Sequence, residues 1–245
     1  AGLVTLSTAS SLQPILAAKM AEVTYFPLPE SAAGVIGGKA APVLKKRLPE
    51  YEVLLMGCGL GQHADVVKFI NSTLFNLRSS SPAVVLDADA LNALAQVPDW
   101  WQKLSQDAIL TPHPGEMARL AGITVDEVHR QRLEIARKCA VEWRKVVVLK
   151  GAYTVVAASD GRARISQAAN PGLASAGTGD VLTGVIAGLV AQGLSMFDAA
   201  ACGVYLHAQA GEIVRRELGE AGMLAGDLLP ALPKVIMRLK QEEAI

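Results

Sequence analysis

The sequence has little of the residue types that mark several large classes of protein. Its 245 residues include three cysteines, Cys58, Cys139 and Cys202, which lie far apart and form no CxxC pair. This spacing argues against a disulfide framework and against a zinc knuckle, so a cytoplasmic location is expected. Aromatic residues make up 4%, and 23 basic residues balance 23 acidic ones. Neither a stacking platform nor a basic surface for nucleic acid is therefore indicated.

Long apolar runs are also missing. The longest uncharged stretches, 181–197 and 199–211, are too short for a membrane span and contain Gly, Gln, Ser or His, so we predict buried helices there and no membrane partner. No basic segment followed by an apolar one opens the chain, so no signal peptide is indicated. The chain begins at Ala1 without Met, and its first residues already form a strand pattern. We expect that it was processed or that a preceding segment is missing.

What the chain does have is a regular alternation of apolar strand patterns and helical patterns, with 51% hydrophobic residues. This alternation predicts an α/β fold with a central, mostly parallel sheet flanked by helices on both faces. The predicted strands cover 3–6, 22–28, 52–56, 83–87, 108–111, 146–149, 154–158 and 164–166, with Pro27 and Pro29 ending the second. The predicted helices cover 10–18, 64–77, 88–95, 124–143, 181–191, 195–218 and 227–240.

Four unusual segments directly follow a predicted strand: 57–61, 87–92, 111–116 and 150–154. In open α/β sheets, ligands bind at the carboxyl ends of the strands. The sequence therefore predicts that a site lies at this edge of the sheet.

The segment from Asn170 to Asp180 is a loop of small residues that leads into an apolar helix. Unpaired N–H groups and the positive dipole at the start of a helix favour an anion, and glycines let phosphate oxygens approach the backbone. A carboxylate such as Asp180 would repel that phosphate unless it accepts a proton from an attacking hydroxyl. The alternative is a tight turn in which Asp180 complements the dipole.

Two further segments each allow a structural and a functional interpretation. Lys150 ends a buried strand, so its side chain reaches either solvent or a phosphate. His113 is held between two prolines near Glu116, which is typical of a helix start but also fixes an imidazole for binding. A second histidine at metal-ligand spacing is absent, so a zinc site is not expected.

The segments after the third and fourth strands contain glycines and carboxylates. Gly57-x-Gly59-x-Gly61 lets a ligand approach the backbone, although its spacing is not the GxGxxG of dinucleotide-binding turns. Asp87 and Asp89 could hold a cation such as magnesium. We predict that Asp89 is instead a helix N-cap and that Asp87 is the better site candidate.

Taken together, these motifs resemble one known family. Asp87-Ala-Asp-Ala-Leu-Asn92, Leu110-Thr-Pro-His-Pro-Gly-Glu116, Val148-Leu-Lys-Gly-Ala-Tyr-Thr154 and Asn170-Pro-Gly…Gly177-Thr-Gly-Asp180 occur in this order. The chain is similar over nearly its whole length to the ADP/ATP-dependent NAD(P)H-hydrate dehydratases of the ribokinase-like superfamily. The resemblance implies repair of NADHX and NADPHX: ADP or ATP, with Mg²⁺, phosphorylates the ring hydroxyl, and loss of phosphate restores NADH or NADPH.

The resemblance also implies roles for single residues. Asp180 would be the catalytic base and would contact the hydrate. The expected ADP or ATP contacts are Lys150, Gly151, Ala152, Tyr153, Thr154, Gly177, Thr178 and Gly179. The expected NAD(P)HX contacts are Gly57, Gly59, Gly61, His113, Asn170 and Asp180, with Asp87 and Glu116 as further candidates. Protein ligands for the metal are left open.

The same resemblance implies a single domain over 1–245 that lacks its first strand and helix, and a homo-oligomer. We also expect the epimerase domain that often precedes it in bacteria to be missing from this sequence, and Cys58 stands where the family usually has Pro. Two other functions stay open: a small-molecule kinase of the thiazole, pyrimidine or pyridoxal type, and a nucleotide-binding sensor without turnover.

Overall fold

The computed structural model of the protein describes residues 1–75, 77 and 81–242, and the chain divides into two compact units. Unit one runs from Ala1 to Asp107, and unit two begins at Ala108. Strands alternate with helices along most of the chain, which confirms the predicted α/β class. Among the described residues, no helix has both the length and the apolar character needed to cross a bilayer. A single domain over 1–245 stays a prediction.

Unit one forms six strands and five α-helices among its described residues. The strands are β1 (Thr5–Ala9), β2 (Thr24–Leu28), β3 (Glu30–Ala32), β4 (Val35–Ile36), β5 (Val53–Met56) and β6 (Ala83–Leu86). The helices are α1 (Gln13–Ala17), α2 (Ala40–Arg47), α3 (Ala64–Leu74), α4 (Ala88–Ala95) and α5 (Trp100–Lys103). β1 pairs with β2 and β5 with β6 in parallel, whereas β3 and β4 are antiparallel.

The parallel pair of β5 and β6 sets the position of two predicted site segments. Both strands are apolar, and β6 is buried from Val84 to Leu86, as expected for a strand covered on both faces. Met56 lies opposite Leu86 in the register, so the chain leaves both strands at the same edge. The glycine segment 57–61 and Asp87 therefore begin side by side.

Several predicted boundaries in unit one were wrong, since β1 runs over Thr5–Ala9 rather than 3–6 and α1 over Gln13–Ala17 rather than 10–18. Pro27 lies inside β2, opposite Thr8, rather than ending the strand. A proline is tolerated there because β1 and β2 form a two-stranded sheet in which β2 is an edge. Helix α3 ends at Leu74 instead of reaching Leu77.

Unit two forms four strands and six α-helices among its described residues. The strands are β7 (Ala108–Leu110), β8 (Val146–Leu149), β9 (Val155–Ala157) and β10 (Ala163–Ile165). The helices are α6 (Pro114–Ala121), α7 (Val125–Arg130), α8 (Arg132–Trp143), α9 (Thr178–Val190), α10 (Met196–Leu218) and α11 (Ala225–Glu242). β7 and β8 are parallel, and β8, β9 and β10 are antiparallel neighbours.

Most local predictions in unit two are confirmed. β9 and β10 form the predicted hairpin, with Gly161 at a φ of 85° in its turn. Thr124 and Glu127 form the predicted capping box. The single helix predicted over 124–143 is wrong, because Gln131 leaves helical geometry at φ −133° and ψ 45° and separates α7 from α8.

The core of unit two places three helices around the segment 170–180. All four residues of β8 are buried, and α10 packs against β8 and α9. The buried residues shared by α10, α11 and the loop between them are Leu206, Ala210, Ile213, Val214, Met223, Leu228, Ala231 and Val235. Leu173, which precedes α9, packs against the same cluster. The start of α9 is therefore held by the core.

Candidate active site

The loop before α9 has the geometry of an anion-binding site. Gly177 is the N-cap of α9 at a φ of 85°, a left-handed conformation that glycine adopts without strain. A Cβ at this position would lie 3.1 Å from the Cβ of Ala225, so the backbone is also closely packed. The N–H groups of Gly179 and Asp180 in the first turn have no acceptor within the helix and lie at its positive end. This arrangement favours a phosphate.

Thr178 fixes the shape of this loop from within. Its side chain is buried, and its Oγ1 lies 2.6 Å from the carbonyl oxygen of Leu173 and 2.8 Å from that of Ser175. The hydroxyl therefore donates its proton to the loop rather than to a ligand. Its N–H also donates to the Ser175 carbonyl, at 3.3 Å.

Asp180 lies in the first turn of α9 and is exposed. A carboxylate that is open to solvent beside an anion-binding loop can meet both a phosphate and the hydroxyl that attacks it. The alternative, that the Asp180 carboxylate complements the helix dipole, also fits this position, because both interpretations require a carboxylate in the first turn. Geometry alone therefore leaves the two interpretations open.

The structure brings three predicted residues together in unit two. The Lys150 N–H donates to the carbonyl of Pro112 at 2.8 Å, which joins the two segments that follow β7 and β8. The Lys150 Nζ lies 4.0 Å from the Oε2 of Glu116, and the His113 Nε2 lies 3.3 Å from its Oε1. Lys150 is only 18% exposed, so it does not simply extend into solvent.

His113 and Glu116 also build the start of α6. The His113 Nδ1 accepts the N–H groups of Gly115 and Glu116, at 3.0 and 3.4 Å. The buried carboxylate of Glu116 accepts the His113 N–H in return, at 2.8 Å. Because the Nδ1 accepts these bonds, the Nε2 is the ring nitrogen that carries a proton toward the Glu116 carboxylate. The structural interpretation of both residues is confirmed, and the half-exposed ring of His113 still faces solvent.

The segment 150–154 is a tight loop that the half-buried side chain of Arg132 holds in place. Arg132 donates through Nη2 to the carbonyl oxygens of Leu149 and Lys150, at 3.0 and 3.2 Å. Gly151 has a φ of 136°, and a Cβ there would lie 3.2 Å from the same Nη2. Tyr153 adopts a φ of 55°, which is rare for an aromatic residue, and its side chain is exposed. Gly151 and Ala152 are exposed as well, so a ligand can reach the loop.

Asn170 has a side-chain donor that no described residue accepts. Its Oδ1 accepts the N–H of Gly172 at 3.0 Å and so caps the 3₁₀ turn Pro171–Ala174. Its Nδ2 is buried and has no hydrogen-bond partner among the described residues. A buried amide donor without a partner is costly, which supports the prediction that Asn170 binds an acceptor on a ligand.

In unit one, the glycine segment packs on the residues that follow β6. Gly57, Gly59 and Gly61 have φ values of 137°, 68° and 81°. The N–H of Gly61 donates to the Oδ2 of Asp89 at 2.7 Å. Asp87 is buried and is the N-cap of α4, with its Oδ1 accepting the Ala88 N–H. The predicted N-cap role of Asp89 was therefore wrong by two residues, because the helix already begins at Ala88.

His207 is a buried residue of α10 that the sequence patterns did not single out. Its Nε2 lies 2.9 Å from the carbonyl oxygen of Thr178. Burial lowers the pKa of His207 to about 4; the bond to Thr178 opposes this shift and the charge of Lys150 adds to it. Arg132 was missed in the same way. Both lie within amphipathic helices, where no motif separates them from ordinary surface or core residues.

The low pKa of His207 makes stability depend on pH. Between pH 6.5 and about 4 the unfolded chain binds a proton that the folded protein excludes, so the free energy of unfolding falls as the pH falls. At pH 4.5 we expect a loss of about 2–3 kcal/mol from this group relative to pH 7. Urea unfolding at both pH values measures it. His207→Gln should lose less stability over this interval, and an equal loss would contradict the assignment.

Comparisons with known proteins show which family this chain is similar to. The model of a family described as NAD(P)H-hydrate dehydratase matches residues 1–234. The bifunctional NAD(P)H-hydrate repair enzyme of Moorella thermoacetica is 48% identical over 242 residues, which are 99% of this chain and 45% of the relative. This chain thus spans less than half the length of that relative.

Two solved structures are similar as well. One is the ADP/ATP-dependent NAD(P)H-hydrate dehydratase of Bacillus subtilis, co-crystallised with ATP and Mg²⁺ and soaked with CoA. It is 30% identical, with a TM-score of 0.76 over 97% of this chain and 81% of that one. The other is a ribokinase-like superfamily protein of Enterococcus faecalis, 25% identical, with a TM-score of 0.80 over 97% and 78%. These likenesses confirm the predicted ribokinase-like fold.

Proposed function

We propose, because this chain belongs to the NAD(P)H-hydrate dehydratase family, that it returns NADHX and NADPHX to NADH and NADPH with ADP or ATP as phosphoryl donor. The observation that carries the proposal is the exposed Asp180 in the first turn of α9, directly after the anion-binding loop. A base and a phosphate site in adjacent residues are what phosphoryl transfer to a hydroxyl needs.

Asp180 is the base of the first step. Its carboxylate takes the proton of the ring hydroxyl while the hydroxyl oxygen attacks the terminal phosphorus of the nucleotide. The phosphorus–oxygen bond of the donor breaks, and AMP leaves from ADP or ADP leaves from ATP. The phosphate ester then loses inorganic phosphate together with a proton from the neighbouring ring carbon, and the electron pair of that C–H bond forms the ring double bond.

The backbone around Gly177, Thr178 and Gly179 stabilises the phosphoryl group during transfer. N–H groups at a helix start already point toward the charge that develops, so little reorganisation is needed. Lys150 and the segment 151–154 bind the remaining phosphate of the nucleotide. The exposure of this segment and the hydrogen bond from Arg132 to the carbonyl of Leu149 support that role.

Magnesium fits this set of residues as part of the nucleotide complex. It prefers phosphate oxygens, waters and one or two carboxylates, and a loop rich in N–H donors with an exposed carboxylate suits such a complex. When bound, the ion neutralises phosphate charge. We assign it no cage of protein ligands.

The contacts that we propose for the dinucleotide hydrate are those that the sequence motifs imply. Asn170 donates the Nδ2–H that no described residue accepts, and His113 presents its half-exposed ring. The glycines Gly57, Gly59 and Gly61 let the substrate approach the backbone. Asp87 and Glu116 are proposed to shape these segments, because both carboxylates cap helices.

Product analysis separates this function from the kinase alternative. Incubation of the protein with NADHX, Mg²⁺ and ATP should give NADH and inorganic phosphate in equal amounts. A phosphorylated substrate that accumulates without phosphate release would support a small-molecule kinase. Nucleotide binding without either product would support a sensor.

Lys150→Ala should weaken ADP binding by about 10–100-fold, because a charge-assisted hydrogen bond to phosphate contributes about 1.5–3 kcal/mol. Isothermal titration of ADP with Mg²⁺ measures the change. Lys138→Ala removes an exposed lysine of α8 and serves as the matched control, with affinity expected to stay the same. If the Lys150 variant binds ADP as the unmodified protein does, the phosphate role is wrong.

A further inference from the structure

His207 connects α10 to the backbone of the anion-binding loop. The acceptor is the carbonyl oxygen of Thr178, 2.9 Å from the Nε2, so the ring must donate its Nε2–H. The ring is buried, and a carbonyl oxygen can only accept a hydrogen bond. The bond therefore fixes one tautomer of a neutral imidazole.

The face of α10 that carries His207 also approaches its neighbours closely. Gly203 and Gly211 lie four residues before and after His207, and so on the same face of the helix. A Cβ on Gly203 would lie 2.5 Å from the Cγ1 of Ile186 in α9, and one on Gly211 would lie 2.8 Å from the Cδ2 of Leu173. Two close contacts thus hold α10 against α9 and against the 3₁₀ turn, with His207 between them.

The peptide that accepts this bond carries an N–H group of the loop. The Thr178 carbonyl belongs to the same peptide as the N–H of Gly179, which is one of the first-turn groups without an acceptor inside the helix. A hydrogen bond to the carbonyl polarises the peptide and strengthens its N–H as a donor. It also limits rotation of that peptide.

We propose that His207 is a positioning residue for phosphoryl transfer: its Nε2–H fixes and polarises the Thr178–Gly179 peptide, so that the Gly179 N–H stabilises the transferred phosphoryl group. This inference rests on the proposed function. Burial keeps the ring neutral above about pH 5, since its pKa is about 4, so the donor is unchanged over the physiological range. Nothing in the sequence motifs assigns this residue a role.

Two variants separate the hydrogen bond from the packing. His207→Gln keeps an N–H donor at a similar distance from Cα, whereas His207→Leu fills the space without a donor. Loss of one polarising bond should lower kcat of the Leu variant by roughly tenfold. KM for ADP should change by less than about threefold, because the ground-state phosphate contacts remain. The Gln variant should recover kcat to within about threefold of the unmodified protein.

A stability control excludes a merely structural effect. Ile213→Val removes one buried methylene from the core cluster of the same helix, at a cost of about 0.5–1.5 kcal/mol, and should leave kcat unchanged. If both His207 variants lose kcat equally, or if the Leu variant keeps full kcat, the proposal is overturned.

A readout without turnover distinguishes failure of this inference from failure of the proposed function. In protein labelled with ¹⁵N-glycine, the amide proton of Gly179 should move upfield in His207→Leu and stay in place in His207→Gln. This result would support the positioning role even if NADHX is not converted. An unchanged Gly179 signal in the Leu variant would overturn the role even in an active enzyme.

Discussion

Asp180→Asn should lower kcat by roughly 10²–10⁴-fold, the usual contribution of a general base. Asparagine keeps the shape of the side chain and its place in the first turn of α9, but it cannot accept the proton of the ring hydroxyl. ADP affinity should change by less than about threefold, because the loop N–H groups and Lys150 are untouched. Steady-state kinetics with NADHX, ADP and Mg²⁺ measure both values.

Asp198→Asn is a matched control for this variant. Asp198 lies in the first turn of α10, in the same unit, so its replacement also removes a carboxylate that complements a helix dipole. Each variant should lose about 0.3–1 kcal/mol of stability for that reason. Only the Asp180 variant should lose activity. A decrease in kcat below about threefold would leave the dipole interpretation of Asp180 as the correct one.

Gly57→Ala should destabilise the protein by about 3 kcal/mol or more, the largest loss expected from any single methyl group in this site. The residue has a φ of 137°, and a Cβ would lie 1.8 Å from the carbonyl oxygen of Asp87. That oxygen also accepts the N–H of Ala90 at 3.0 Å at the start of α4, so it cannot move away freely. The free energy of unfolding in urea measures the effect.

Gly59→Ala is the control within the same loop. Its φ is also positive, at 68°, but no atom lies within 4 Å of the added Cβ. We expect a cost of about 1 kcal/mol from the backbone conformation alone. Equal losses for the two variants would show that contact with the Asp87 carbonyl does not determine the requirement for glycine at position 57.

The strands and the loops that follow them could be predicted because their signals are local. Short apolar runs ended at Met56 and Leu149, and the loops 57–61 and 150–154 begin there in the structure. Boundaries that depend on neighbours could not be predicted. Pro27 is tolerated because β2 is an edge strand. The break at Gln131 between α7 and α8 does not change the spacing of apolar residues, so the hydrophobic pattern could not indicate it.

The candidate site was predictable in its motifs but not in its contacts. The motifs pointed to Asp180 and the loop before it, since glycines before a helix start favour an anion. They did not show that Lys150 approaches the buried carboxylate of Glu116, because that contact depends on how β7 and β8 pair. Arg132 and His207 were missed because each acts on the backbone of a loop that is distant in sequence.

The most direct test of the proposed function is absorbance at the reduced-nicotinamide band. The chain is mixed with NADHX, Mg²⁺ and either ADP or ATP, and parallel samples omit the nucleotide or contain Asp180→Asn. The proposal predicts a rise that requires nucleotide and is slowed by roughly 10²–10⁴-fold in the variant. A flat trace with both nucleotides, or a rise that the variant shares, would contradict it.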